Sequence, residues 1–226
     1  GHDRDGDRFR GAVVGLGGLG VVTRLWLDVE PAYEVRQDVY EGLAPALLET
    51  RFEELASCAY SVSVFTDWRS AAATLVWVKG RVGDGAAPGP PRELFGATRA
   101  LAPRHPIRAL SAESCTEQMG VPGPWHERLP HFREGATPSS GEELQSEYMV
   151  PRRHAPAALG ALVRMADRLA PLLQVSEVRT VATDDLWMSP CYREACVALH
   201  FTWAKDWEGV RRLLPAIEAE LAPLGV

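Results

Sequence analysis

Glu177 and Arg179 stand two apart in the run 177–183, where Val178, Val181 and Ala182 are apolar or small. If that run is a β-strand, both charged side chains leave the same face. His200 and Thr202 repeat the spacing in the next apolar run, 195–203. Two neighbouring strands would then present a carboxylate, a guanidinium, an imidazole and a hydroxyl together. Two readings fit that pattern. One is a polar ligand site; the other is a strand face carrying a Glu–Arg ion pair, with His200 a hydrogen-bonded structural histidine.

Other residue sets are less specific. His126 and His131 are five apart in a Pro-bounded stretch with Glu127 beside them, but no third ligand follows at helical or strand spacing, so no metal site is expected. Cys58, Cys115, Cys191 and Cys196 match no zinc spacing and contain no Cys-x-x-Cys, as expected of free thiols in a reducing compartment. Only Lys79 and Lys205 are lysines, which leaves few candidates for a catalytic amine. Five glycines crowd residues 11–20, too many for a helix interior or an ordinary strand. Val21, Val22 and Thr23 then read as a strand rather than a helix, so the segment is neither a dinucleotide fingerprint nor, without Gly-Lys-Ser/Thr, a P-loop. Its glycines could be a tight structural turn or a place where backbone amides meet a ligand.

The elements that must hold these residues follow from periodicity. Strands are expected at 21–29, ended by Pro31, and at 33–40. A helix is expected over 43–59, a hairpin from 60–66 and 74–79, and a Gly/Pro-rich loop over 80–91. The stretch from there to Ser140 is irregular and rich in proline, which in a compact domain signals function or a covering layer. Then come a strand at 144–150, a helix at 157–173, strands at 177–183 and 195–203, and a helix at 207–221. The order β-α-β-β twice over predicts an α+β class: an antiparallel sheet with helices on one face.

The chain has 226 residues, 46 % hydrophobic and 24 % charged, with a net charge of −6. That is the balance of a globular protein with a sizeable core. Acidic character without a Lys/Arg cluster argues against nucleic acid or an anionic membrane surface as partner. Apolar runs such as 43–48 and 74–78 are far shorter than the ~20 residues of a membrane span. No charged segment followed by an apolar one opens the chain, so a leader is not expected, and Gly1-His2 resembles a tag remnant. A cytoplasmic location is the expectation.

Gly17-Gly18-Leu19-Gly20-Val21-Val22-Thr23 resembles the Gly-x-Leu-Gly-Val-Val/Ile-Thr segment of flavin oxidases of the vanillyl-alcohol oxidase type. The runs 35–40, 59–69, 115–118, 120–133, 138–151, 177–182 and 200–203 are similar to the alditol and sugar-lactone oxidases of that group. The resemblance implies FAD as cofactor and a polyol or sugar lactone as substrate, with a CH–OH group oxidised and O2 reduced to hydrogen peroxide. It implies that residues 1–30 end an FAD-binding domain and that residues 31–226 form a substrate-binding cap domain. Gly17, Gly18, Gly20, Val21 and Val22 would pass beside the flavin. Glu177, Arg179 and Thr202 match substrate-contacting positions, and His200 neighbours them. Arg179 would stabilise charge that builds on the flavin as hydride leaves the carbinol. Glu177 would bind hydroxyls and orient Arg179, and Thr202 would bind another hydroxyl. The pyrophosphate-binding loops and flavin-linking His of those oxidases have no counterpart here, so flavin binding and turnover are expected only with a further segment or a second chain supplying the FAD half. The alternative is a non-catalytic sugar- or protein-binding module on the same cap fold.

Overall fold

The computed structural model describes residues 5–83, 91–136 and 141–226. Gly1-His2, most of the expected 80–91 loop and the run 138–140 lie outside the described residues. Among the described residues nine strands form a sheet: β1 (Glu34–Glu41), β2 (Ser61–Thr66), β3 (Leu75–Arg81), β4 (Glu93–Leu94), β5 (Ala97–Arg99), β6 (Gly123–Pro124), β7 (Glu143–Pro151), β8 (Leu173–Val181) and β9 (Cys196–Ala204). Their order is β4-β5-β1-β3-β2-β8-β9-β7, with β6 pairing β1 off that path, and the pairings are antiparallel.

The doubled β-α-β-β pattern is visible in space. After helix α1 (Asp7–Ala12), the first unit runs β1, then the short helices α2 (Ala46–Thr50) and α3 (Phe52–Ala56), then β2 and β3, with spatial order β1-β3-β2. After helix α4 (Trp125–Arg128), the second runs β7, α5 (Ala155–Arg164), α6 (Ala166–Leu169), β8 and β9, with spatial order β7-β9-β8. The units join edge to edge through β2 and β8, where Ser63 lies opposite Arg179 and Phe65 opposite Glu177.

Strand alternation divides the residues between two layers. On one face Val64, Val178, Leu199, Phe201 and Trp203 pack against Leu48, Phe52, Leu159, Leu162 and Ile217 of the helices. Phe201 and Trp203 stack with centroids 4.9 Å apart, and Trp203 Nε1 donates to Ser146 Oγ at 3.0 Å, so the buried indole keeps its hydrogen bond. Each such burial stabilises the fold by about 1.5–3 kcal/mol. Helix α7 (Trp207–Leu221) closes this layer with Val210, Leu213, Ile217 and Leu221. Asp206 caps it by accepting from Gly209 N at 2.9 Å. The other face carries a smaller cluster of Val39, Phe65, Leu75, Trp77, Cys115 and Val175, covered by Ile107, Ala112 and Phe132 of the irregular stretch. That stretch is therefore a covering layer over half of the sheet.

Several expectations are corrected. The strand expected at 21–29 is absent: residues 20–33 pair with no strand, and Val21, Trp26 and Val29 are exposed. Hydrophobic β-branched residues signal a strand only where a partner edge is available. The 43–59 helix starts late, after Pro45, and breaks at Arg51, whose φ of −134° leaves the helical region. The helix begun near Ala157 ends by Leu169, and β8 begins at Leu173 because Leu173 and Val175 pair with Trp203 and Thr202 across a bulge. Leu169, Leu172 and Leu173 fit both the helical spacing and a strand entrance.

Candidate functional site

On β8, Val178 turns toward the helices, while Glu177 and Arg179 turn to the other face. On β9, Leu199 and Phe201 do the former, His200 and Thr202 the latter. Register sets His200 opposite Glu177 on one side and opposite Glu147 of β7 on the other. The four predicted side chains are thus brought together. Arg179 Nη1 donates to Glu177 Oε2 at 3.3 Å and its Nη2 to Glu147 Oε1 at 2.5 Å. His200 Nε2 and Thr202 Oγ1 are 3.5 Å apart.

Beneath this row lies a set that spacing alone did not single out. His131, from the irregular layer, places Nε2 3.1 Å from Ser63 Oγ and 3.1 Å from Glu177 Oε1. Its ring stacks on Trp77 with centroids 5.2 Å apart and meets Phe65 edge-on at 5.4 Å. On the far side Lys79 Nζ donates to the carbonyls of Leu129 and Pro130 and lies 3.5 Å from His131 Nδ1. Lys79 is 1 % exposed. Its rarity among 22 arginines was a signal in the sequence, but the 52-residue separation from His131 hid their meeting.

Burial pushes the Glu177 carboxyl up, yet His131, the Arg179 guanidinium and the Ser63 hydroxyl outweigh it and hold the group at about 2. Burial likewise pulls Arg179 down, and the Glu177 and Glu147 carboxylates more than restore it. His200 is lowered by burial despite the carboxylates of Glu147 and Glu177, which keeps its imidazole neutral at pH 7. Desolvation lowers the Lys79 ammonium to about 8, against the pull of Glu177.

The Oε1 atom of Glu177 is buried and receives no aligned hydrogen bond; the His131 contact is close but off-axis. Other atoms of Glu177 line a cavity of about 110 Å³ with Phe65, Phe132 and Val175 as apolar walls and Gln145, His200 and Thr202 as polar ones. Those polar walls suit a small ligand rich in hydroxyls. Arg179 does not line it and sits beyond Glu177, against Glu147. A larger hollow of about 710 Å³ lies among Glu117, His126, Glu127, Arg128 and Arg133, without a comparable orphaned atom.

The glycine segment is not brought to this cluster. Its hydrogen bonds are local, from Gly15 to Ala12, Gly18 to Gly15 and Gly20 to Gly17, and Gly17, Gly18, Gly20, Val21 and Val22 are all exposed. The arm is tied down by Arg10, whose carbonyl accepts from Trp187 N and whose side chain pairs with Asp185 at 2.6 Å. Among the described residues no three His, Cys, Asp or Glu side chains are grouped as metal ligands, and no helix is long and apolar enough to cross a membrane.

No family model matches the chain. An alditol oxidase from a Streptomyces species is 53 % identical over 216 residues, which is 94 % of this chain and 50 % of that protein. The chain spans about half the length of this relative. Nearly all of this chain is thus alditol oxidase-like in sequence, equivalent to about half of such a protein.

Proposed function

We propose that these residues form the substrate-binding part of an FAD-dependent oxidase acting on alditols. The observation that carries the reading is the cavity that Glu177 lines together with Gln145, His200 and Thr202. A polyol chain carries hydroxyls that both donate and accept, and this wall offers a carboxylate acceptor, a neutral imidazole, an amide and a hydroxyl. Identity of 53 % to an alditol oxidase supports the same substrate class over a sugar lactone.

Residues 31–226 are assigned to substrate binding and residues 1–30 to the edge of an FAD-binding domain. A Cβ added at Gly17 or Gly20 would meet nothing within 4 Å, so the glycine turn is open rather than a closed cradle. The described residues do not complete a flavin site, and the remaining contacts are assigned to sequence outside these 226 residues or to a second chain. FAD, once held there, supplies the hydride acceptor. Glu177 and Thr202 bind and orient the polyol, and Arg179 fixes the Glu177 carboxylate and adds positive charge beside the reacting end. Four free cysteines support a reducing, cytoplasmic location.

The test uses a complete oxidase containing this chain. Glu177→Gln and Thr202→Ala should each raise KM for a five-carbon alditol about tenfold or more, while Arg179→Ala lowers kcat on the order of a hundredfold. Absence of peroxide formation with any alditol overturns the reading.

A further inference from the structure

We propose that Lys79 and His131 are positioning residues for Glu177, with the lysine ammonium fixing the His131 ring in the neutral form that carries its proton on Nε2, facing Ser63 and Glu177. The inference rests on the reading of Glu177 as a substrate-binding carboxylate.

An ammonium has three donors and no acceptor. Across the 3.5 Å contact, Lys79 must therefore donate and His131 Nδ1 must accept. A proton on Nδ1 would set donor against donor, and a doubly protonated ring would set two cations side by side in a buried place. The remaining form is the neutral ring with hydrogen on Nε2. The surroundings allow the ring little freedom to escape that choice. It is stacked on Trp77 and butted by Phe65, and Lys79 is itself anchored by the Leu129 and Pro130 carbonyls just before His131 in the chain.

The proton on Nε2 then faces two oxygens at 3.1 Å, Ser63 Oγ and Glu177 Oε1. Aligned on Ser63, it leaves the Ser63 hydroxyl to donate to Glu177, whose other atoms line the cavity. The supporting groups come from β2, β3 and the covering layer, and the carboxylate they hold comes from β8. Lys79 thus acts on the carboxylate through a chain of directed protons rather than by contact. Truncating it would free the ring to change tautomer and turn an N–H into a lone pair facing Glu177, with the carboxylate left to rotate.

The experiment is a long-range proton–nitrogen correlation spectrum of the 15N-labelled 226-residue chain at pH 7, with His131 assigned by loss of its signals in His131→Gln. The expected pattern is one protonated nitrogen at Nε2 and one pyridine-type nitrogen at Nδ1, in slow exchange with any other form. In Lys79→Met that pattern should collapse to an averaged mixture of tautomers. A wild-type ring protonated at Nδ1, doubly protonated or averaged overturns the proposal, as does an unchanged pattern in Lys79→Met. If Lys79→Met does not fold, the wild-type spectrum alone decides. No polyol or flavin is present in the measurement, so failure of the substrate assignment would leave its outcome untouched. In a complete oxidase, Lys79→Met should raise KM for the alditol several-fold with kcat changed less.

Discussion

Phe65 lies directly opposite Glu177 across the β2–β8 pairing, so the carboxylate rises from the seam between the two three-stranded units with an aromatic ring as its neighbour. A carboxylate in such a place needs cations and donors to stay ionised, and His131, Arg179 and Ser63 supply them.

Acid stability should reveal this. The folded-state value of Glu177, about 2, is below its ordinary 4.5, so its contribution is fully present above pH 4.5 and is lost as pH falls toward 2. Glu177→Gln should cost on the order of 3 kcal/mol at pH 7. Denaturant titrations at successive pH values should show the difference from wild type closing below pH 4.

Lys79 has the opposite sign. Its folded value, about 8, is below the ordinary 10.5, so the folded state binds fewer protons between those limits. The penalty for burying the charge is complete below pH 8 and is relieved as pH rises toward 10.5. The stability of wild type relative to Lys79→Met should therefore increase between pH 8 and 10.5. A flat difference would show that Lys79 is not the group that titrates.

Gly120 has φ +76°, and a Cβ there would meet Arg99 Nη2 and Asp38 Oδ1 at 3.0 Å. Those two groups form a 2.6 Å ion pair, with Asp38 nearly buried. Gly120→Ala should therefore destabilise by about 1–3 kcal/mol, read as a lower Tm, through backbone strain and displacement of the pair.

The arm over 20–33 forms no strand and exposes Leu25, Trp26 and Leu27. Its amides should exchange with solvent within seconds, whereas those of β9 remain protected far longer. Equilibrium titration of the 226-residue chain with FAD should give no saturable binding in the micromolar range. Tight stoichiometric binding would place a complete flavin site within these residues.

The sequence made much of this legible, because alternation is a local signal. Glu177 with Arg179 and His200 with Thr202 were readable as same-face pairs, and helix α7 appears at its expected limits. The doubled topology followed from element order alone. What stayed hidden depends on contacts between distant segments. His131 reaches Glu177 from an irregular layer with no period to read, and Lys79 looks like any strand residue until its neighbours are known. Val21–Val29 shows the converse error, a strand-like composition with no edge to join.

The seam between β2 and β8 divides the cluster between two bodies. Ser63 and Lys79 belong to the first three-stranded unit, with His131 stacked upon it; Glu177, Arg179, His200 and Thr202 belong to the second. The His131–Glu177 contact bridges that line at side-chain length, at 3.1 Å. A ligand gripping Glu177 and Thr202 loads one leaf of the joint, and the buried lysine and histidine brace the other.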